Sequence, residues 1–326
     1  MPEAISYGKV RASYGIVGNA APMYVSNVSY TQDALQSING SVAALALSSS
    51  YGNNNLKAET KYERELGLEM KFLEDRIGFD ISYYDNVVKD QIMDLSTAAS
   101  VGATSQIVNV GEIASNGLEL ALNATPVRGT VHWSTRFNIG FNKSKVNKLA
   151  TGVPQLIFYD AEQSAIRVVA KEGEDLGNIY VYDRAKNENG DHLINDDGYY
   201  VIDKSKYVKV GNIMPKATGG WSNTIMYNNL SLDFTLDYRF GGKMVSTPTK
   251  YATGAGMFEN TMKYRDAEHG GLTFTDDYGT WNDGVLLNGV NANTGAKNTK
   301  VIGAADYYMN TYGWGYDAWN EDGAIF

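Results

Sequence analysis

Residues 230–240 read Leu-Ser-Leu-Asp-Phe-Thr-Leu-Asp-Tyr-Arg-Phe, and apolar and polar side chains alternate at every position of this stretch. Successive side chains of a β-strand point to opposite faces of its sheet. A strand with this sequence therefore has one apolar face and one polar face. Its length also matches that of membrane-spanning β-strands, which have about 9–11 residues.

The same alternation recurs in six other parts of the chain and predicts an all-β protein. The alternation is weakest at 219–227, because Asn223 interrupts an apolar face that includes Trp221 and Ile225. We expect seven long strands, near 7–17, 57–73, 77–92, 105–124, 130–148, 216–228 and 230–242.

The connections between these strands alternate between short and long. Short turns are expected around 74–76, 125–129 and 228–229, and long loops at 18–55, 94–104, 149–214 and 243–326. The long segments are rich in Gly, Asn, Asp, Ser and Tyr, which is the composition of loops. Transmembrane β-barrels combine short periplasmic turns with long extracellular loops, whereas soluble sandwiches have shorter strands and more even turns. The pattern favours a partial transmembrane antiparallel β-barrel over a sandwich.

Composition excludes several other classes of protein. The 326 residues contain 28 Lys and Arg against 37 Asp and Glu, a net charge of −9, which disfavours a nucleic-acid partner. The absence of cysteine excludes disulfides and thiolate metal sites. Mean hydropathy is −0.32, and the longest aliphatic run, Val42 to Leu47, is far shorter than the ~20 residues of a transmembrane helix. The start of the chain also lacks the features of a signal peptide.

Catalytic and metal-binding patterns are missing. The histidines are His132, His192 and His269, and no zinc-protease, nucleophile-elbow or phosphate-loop motif accompanies them. Glu63, Glu65 and Glu69 share one strand face, where lumen-facing carboxylates explain them without a glycosidase site. The acidic run at 183–197 lacks the ligand spacing of a calcium loop. We expect no catalytic residue, no cofactor and no metal.

An ordered series of motifs resembles the C-terminal part of the SusC/RagA family of TonB-linked outer-membrane proteins. The series begins with Lys-Val-Arg-Ala-Ser-Tyr-Gly-Ile-Val-Gly-Asn at 9–19 and continues with Leu-Lys-Ala-Glu at 56–59 and Glu-Leu-Gly-Leu-Glu at 65–69. Asp-Ile-Ser-Tyr-Tyr at 80–84, Lys-Asp-Gln-Ile at 89–92, Val-Gly-Glu-Ile at 110–113 and Asn-Gly-Leu-Glu at 116–119 follow. The strand from Trp133 to Asn142 and the segment from Gly211 to Pro215 complete it. Each motif is weak alone, whereas their common order is specific.

The resemblance implies a piece of the 22-stranded barrel of a nutrient importer in a Gram-negative, Bacteroidetes-type outer membrane. The signal peptide, accessory domain, plug and last strands of the family are expected to be absent from this chain. The implied partners are outer-membrane lipid, a SusD-like surface lipoprotein, the TonB complex acting through the plug, and an oligosaccharide or peptide ligand. A secreted or surface β-rich carbohydrate-binding module is the first alternative, and a glycan-active hydrolase is the second.

In this setting the apolar strand faces are expected to contact lipid and the polar faces to line the lumen. Leu232, Phe234 and Leu236 should then form an exposed band, whereas a sandwich would bury them under a second sheet. Candidates for the interfacial aromatic girdles are Tyr62, Tyr83, Trp133, Tyr227 and Tyr238.

Ligand contact is expected in the aromatic-rich last loop, because flat rings beside flexible glycines can stack on sugars or on peptide side chains. The candidate ligand-binding residues are Trp281, Tyr312, Trp314, Tyr316 and Trp319. The competing interpretation is that these rings, together with neighbours such as Tyr307 and Tyr308, pack the loop against itself.

Overall fold

The structure, a computed structural model, describes residues 4–27, 30–37, 40–96, 100, 102–320 and 325. The described chain forms two compact units. Unit 1 contains the chain through Leu156 together with Ala170–Leu176 and Pro215–Gly241. Unit 2 contains Ile157–Val169, Gly177–Met214 and the chain from Gly242 onward. Within the described residues, no helix has the length and apolar character needed to cross a membrane.

The secondary structure is dominated by strands. In the first half these are β1 (Ile5–Asn19), β2 (Tyr30–Ser37), β3 (Gly40–Leu47), β4 (Ser50–Tyr51), β5 (Glu59–Phe72), β6 (Ile77–Lys89), β7 (Ile92–Ser96), β8 (Ser105–Asn109), β9 (Gly111–Arg128) and β10 (Val131–Leu149). In the second half they are β11 (Leu156–Ala161), β12 (Ile166–Ala170), β13 (Asn178–Arg184), β14 (Leu193–Ile194), β15 (Ile202–Asn212), β16 (Ala217–Tyr227), β17 (Leu230–Phe240), β18 (Leu272–Asp276), β19 (Gly279–Leu286), β20 (Val290–Asn291) and β21 (Val301–Gly303). The α-helices are α1 (Thr247–Gly254) and α2 (Ala304–Tyr308).

Unit 1 is built on a seven-stranded sheet with the order β1-β5-β6-β9-β10-β16-β17, and every neighbouring pair is antiparallel. The short turns after β5, β9 and β16 lie at one end of the sheet, because Phe72 pairs with Ile77 and Tyr227 pairs with Leu230. The connections that leave the opposite end are long. This topology confirms the predicted all-β fold class, with seven long strands of an open, partial barrel.

The two faces of the sheet differ as the alternation predicts. On β17, Leu232, Phe234 and Leu236 are 58%, 39% and 53% exposed. No second sheet covers this row among the described residues. The sandwich alternative required these side chains to be buried, so the structure does not support it.

The long strand predicted at 105–124 is divided in two. β8 ends at Asn109, and β9 begins at Gly111, whose φ of +144° suits glycine. Between the two strands, the Val110 amide donates to the Gln91 carbonyl at 2.7 Å. The Val110 side chain is buried with Val146, Leu149 and Leu156. The contact with Gln91 and this small core redirect the chain, and β8 pairs instead with β4 and β7. Nearby, β2 and β3 form a separate hairpin.

The segments predicted as long loops at 149–214 and 243–326 contain ordered structure in unit 2. One sheet has the order β11-β12-β13-β15, and another has the order β18-β19-β21. The first sheet packs a core that includes Ile166, Ile179 and Val181, and the second packs a tyrosine-rich core around α2. These strands are short, and β12 and β13 lack alternation because almost all of their side chains are buried or half-buried.

Candidate functional site

The polar face of the seven-stranded sheet contains a side-chain bridge that spans three strands. Arg11 on β1 extends over Gly67 on β5 and donates to both carboxylate oxygens of Asp80 on β6, at 2.8 and 2.7 Å. A β-carbon at position 67 would lie 2.7 Å from Arg11 Nη2. Gly67 therefore provides the space that the guanidinium occupies.

Tyr84 on the same face repeats this arrangement two strands further along, starting from β6. Its ring lies over Gly117 on β9, and its hydroxyl donates to Asn142 Oδ1 on β10 at 3.1 Å. Together the two bridges connect five neighbouring strands by side chains in addition to the backbone ladder. They make the wall of the predicted lumen a fixed polar surface rather than a set of free side chains.

The row of carboxylates on β5 is taken up by this polar network. Glu63 pairs with Lys61, and Glu65 accepts from Ser82 Oγ at 2.6 Å. Glu69 lies 3.8 Å from Arg11 Nη1 and 4.0 Å from Lys71 Nζ. These contacts favour the interpretation as lumen-facing carboxylates over the hydrolase alternative.

Two shallow cavities lie along the same polar surface. The larger has a volume of about 400 Å³ and is lined by side chains that include Asp80, Glu119, Asn138 and Thr218. The smaller, about 240 Å³, is lined by hydroxyl and amide groups around Arg136. Both are rich in hydrogen-bonding groups, so this surface suits contact with polar molecules or with another polar protein surface.

The predicted ligand-binding aromatics divide into buried and exposed residues. Tyr312 and Trp319 are 6% and 1% exposed and belong to the two cores of unit 2. Tyr316 packs edge-on against Tyr182 and bonds to Gln163 Oε1. Burial removes Tyr312 and Trp319 from any ligand surface of this structure, because their rings already contact protein. For these residues the competing interpretation, internal packing of the loop, describes what the structure contains.

Trp281 and Trp314 instead present their rings to solvent, with 45% and 80% exposure. The Trp281 indole donates to Asp276 Oδ1 at 3.0 Å, and the same oxygen accepts from the amides of Tyr278 and Gly279. The bond from Trp281, followed by those from the turn amides, lowers the pKa of Asp276. Asp276 thus fixes the orientation of an exposed ring at the tip of the β18–β19 hairpin.

A turn in unit 2 gathers several side chains that the sequence did not single out. Glu162, Gln163 and Ser164 all have left-handed backbone conformations, with φ of 54°, 55° and 68°. The hydroxyl of Tyr182 donates to the Gln163 carbonyl at 3.0 Å, and that of Tyr207 donates to the Ser164 carbonyl at 2.9 Å. Burial, with the hydrogen bond to Tyr182, raises the pKa of Tyr207 to about 12. These contacts hold a conformation that L-residues seldom adopt.

Lys250 joins α1 to the same turn. Its side chain is 1% exposed, and its ammonium donates to Glu162 Oε2 at 3.0 Å and to the Gly313 carbonyl at 3.2 Å. It also lies over the rings of Tyr251 and Trp319. A lone lysine in a polar loop carries no sequence signal for such burial, and the partner residues are too distant in sequence to reveal it.

The acidic run at 183–197 forms ordinary turns and ion pairs. Asn187 Oδ1 accepts from the amides of Asn189 and Asp191, and Asp196 accepts from the side chains of Asn291 and Asn293. Within the described part of the chain, no three His, Asp or Glu side chains come together as metal ligands. Burial, and then the charge of Arg184, lowers the pKa of His192.

An antiparallel sheet of long strands, with one exposed apolar face and one networked polar face, is the wall of a transmembrane β-barrel. The chain belongs to the TonB dependent receptor-like β-barrel family, whose model matches residues 4–282. This is a family of outer-membrane receptors and transporters, and no enzyme family is indicated.

Curated relatives come from Formosa agariphila. TonB-dependent receptor P3 is 26% identical over 300 residues, which cover 83% of this chain and 29% of the relative. TonB-dependent receptor P26 is 25% identical over 256 residues, which cover 69% of this chain and 25% of the relative. This chain therefore spans between a quarter and a third of the length of these relatives.

Solved structures support the same fold. The RagAB peptide transporter matches with a TM-score of 0.62 and 18% identity, over 78% of this chain and 28% of that chain. The RagAB peptide importer in its closed-closed state matches with a TM-score of 0.60 and 19% identity, over 78% and 29%. The family model confirms the TonB-linked receptor family that the sequence motifs indicated, and these neighbours show that the chain shares the fold of the RagAB structures.

Proposed function

We propose that this chain is part of an outer-membrane, TonB-dependent importer that takes up oligosaccharides or peptides with a surface lipoprotein partner. The observation that carries the proposal is the seven-stranded sheet with opposite faces in a member of this receptor family. Residues such as Leu232 and Leu236 contact lipid, and the surface around Arg11, Asp80 and Tyr84 faces the lumen. The segment contributes no chemistry, because the energy for import comes from TonB acting through the plug.

Two observations support an oligosaccharide or a peptide as the transported ligand. Structural neighbours are described as a peptide transporter, and the exposed aromatic residues of unit 2 suit either a sugar or an apolar peptide side chain. The partner lipoprotein follows from the resemblance to SusC/RagA proteins. The experiment therefore tests both oligosaccharides and peptides.

Within this function we assign ligand contact to Trp281 and Trp314. Trp281 is the stronger candidate, because Asp276 holds its ring before any ligand arrives, which reduces the entropy lost on binding. Trp314 is exposed immediately after the turn of π-helix at Met309–Gly313. Tyr316 bonds to Gln163 and stays a weaker candidate.

Deletion of the full-length gene in the bacterium that encodes it tests the importer function. We expect growth to be lost on one class of polymer, oligosaccharide or peptide, and kept on the corresponding monomers. Restoring the gene with a disrupted TonB-interacting segment should leave growth impaired. If the deletion strain, shown to lack the protein in its outer membrane, grows normally on every polymer tested, the proposal is contradicted.

Substitutions at the hairpin tip test the ligand contacts in a strain that shows this growth phenotype. Trp281→Ala should lower uptake of the identified polymer, and Trp281→Phe should keep part of it because a flat ring remains. Asp276→Ala should give an intermediate loss, since the ring is present but no longer oriented. Asp277→Ala, at the same tip, removes an exposed side chain without a ring and is the matched control for general damage to the hairpin. If Trp281→Ala transports normally, Trp281 is not a ligand contact.

A further inference from the structure

Two polar residues face each other in the middle of the apolar face of the sheet. Thr135 on β10 and Asn223 on β16 are direct partners in the antiparallel ladder. Asn223 is only 3% exposed, although its neighbours Trp221 and Phe234 on that face are 40% and 39% exposed. The sequence marks this position only as an interruption of an apolar row.

Two tryptophans supply hydrogen bonds to this pair. Trp133 Nε1 donates to Asn223 Oδ1 at 3.1 Å, and Trp221 Nε1 donates to Thr135 Oγ1 at 2.8 Å. Trp133 lies two positions before Thr135 on β10 and donates to Asn223 on β16. Trp221 lies two positions before Asn223 on β16 and donates to Thr135 on β10. Such diagonal neighbours on one sheet face are within reach of aromatic side chains. We call Thr135, Asn223, Trp133 and Trp221 the tryptophan-capped pair.

The position of the pair along the strands sets its depth. Asn223 is also the partner of Phe234, which lies next to the midpoint of the 11-residue strand β17. A tilted strand advances about 2.5 Å per residue along the membrane normal, so a strand of this length covers the ~25 Å apolar band of a barrel. The capped pair therefore lies near the centre of that band.

Tryptophans of membrane barrels are usually found at the interface, where the indole N–H meets headgroups and water. Here both indole N–H groups point inward to protein acceptors, so neither needs a headgroup. A hydroxyl and an amide oxygen exposed to hydrocarbon would be costly without such donors. Tyr238 on the same face also directs its polar group to a protein acceptor, because its hydroxyl donates to the Asn138 carbonyl.

We propose that the surface over the tryptophan-capped pair contacts lipid acyl chains, and that Trp133 and Trp221 serve as internal hydrogen-bond donors rather than as interfacial anchors. This inference rests on the proposed outer-membrane location. It replaces the girdle role expected for Trp133 and gives both indoles a deep position. Tyr227, at the end of β16 beside the short turn, stays a candidate for the interface.

Depth-dependent fluorescence quenching tests the proposal on the full-length receptor reconstituted in phosphatidylcholine vesicles. One set of vesicles has bromine near the headgroup end of the acyl chains, and a second has it near the methyl end. The signals of Trp133 and Trp221 are obtained as differences between the parent protein and Trp133→Phe or Trp221→Phe. As a matched control, Tyr227→Trp in the doubly substituted background reports an interfacial indole.

The expected result is stronger quenching of both native indoles by the deep bromines, and of the control by the shallow ones. Stronger quenching of Trp133 and Trp221 by shallow bromines would overturn the inference while leaving the membrane location intact. If no bromolipid quenches either native indole or the control, the sheet lies outside the bilayer, and the proposed function fails with it.

A double-substitution cycle provides a second, independent readout. Asn223→Leu strands the Trp133 indole N–H in hydrocarbon, so it should lower the unfolding temperature of the barrel. Adding Trp133→Phe removes that donor and should restore much of the loss, since removing both partners is milder than removing one. If the two losses simply add, the hydrogen bond between these residues does not stabilise the barrel, and the inference fails.

Discussion

The seven-stranded sheet of unit 1 and the folded segments of unit 2 differ in how far their apolar side chains are exposed. Along β17, leucine and phenylalanine are exposed on one face, while on the other Asp233 accepts from Thr224 and Ser231, and Thr235 donates to Ser222. In unit 2, Ile166, Ile179 and Val181 are fully buried in a core of apolar and aromatic side chains. The contrast indicates two surroundings. Unit 2 is organised like a water-soluble protein, and the sheet is organised for lipid on one side.

The largest effect that this comparison predicts concerns two tryptophans five positions apart in unit 2. Trp319→Ala should destabilise unit 2 by about 3–5 kcal/mol, because the ring fills a closed core. Trp314→Ala should change stability by less than about 0.5 kcal/mol, because its ring is exposed. Hydrogen exchange of unit 2 peptides in the full-length receptor measures both. Similar effects of the two substitutions would show that the core is not closed as described.

A buried ion pair should give the next largest effect. Lys250→Met leaves Glu162 without its cation inside unit 2, and breaking such a pair costs about 3 kcal/mol. Lys206→Met is the matched control, since Lys206 is exposed and lies 3.4 Å from Asp203. It should change hydrogen exchange little, because exposed pairs contribute little. If Lys250→Met is as mild as its control, the turn at Glu162–Ser164 does not depend on this lysine.

A smaller effect is expected in the sheet. Gly67→Ala places a methyl group against the Arg11 guanidinium and should displace it from Asp80, lowering the unfolding temperature of the barrel. At Gly140, on the same polar face, the nearest atoms to an added methyl group lie 3.9 Å away. Gly140→Ala should therefore be neutral or stabilising, by up to about 1 kcal/mol. Equal responses would mean that the bridge over Gly67 does not support the wall.

The smallest effect is expected in alkaline solution. Because the pKa of Tyr207 rises from 10.0 to about 12 on folding, the protonated form is favoured in the native state. The unfolded chain then loses this proton first, so stability is constant below pH 10 and falls as the pH rises towards 12. Tyr207→Phe should remove part of that slope. Tyrosinate absorbance should show one fewer late-titrating group in the variant, and an unchanged titration would contradict the assignment.

The sheet could be predicted from sequence because its pattern is local. Each strand encodes its two faces in its own residues, as in 230–240, and the short turns fix which strands are neighbours. The break at Val110 was missed because it depends on a contact with Gln91 and on a core that several segments build. No periodicity within 105–124 contains that information.

The candidate site was predictable only in part, for a similar reason. Aromatic residues in the last loop were recognised, but their burial depends on partners far away in the chain, such as Ile166 and Ile179 in the core around Trp319. A ring that stacks on ligand and a ring that fills a core have the same sequence signature. The orienting role of Asp276 does have a local signal, since an aspartate two and three residues before Tyr278 and Gly279 is a turn-forming residue.

The central claim is that the two faces of the sheet meet different surroundings, and site-directed labelling along β17 tests it most directly. The chain contains no cysteine, so a cysteine placed at each position of 230–240 is unique within it. In native outer membranes carrying the full-length receptor, a spin label at Leu232, Phe234 or Leu236 should be accessible to oxygen and shielded from a water-soluble relaxation agent. Labels at Asp233, Thr235 and Asp237 should show the reverse. Equal accessibility on both faces, or a pattern without the two-residue period, would contradict the account.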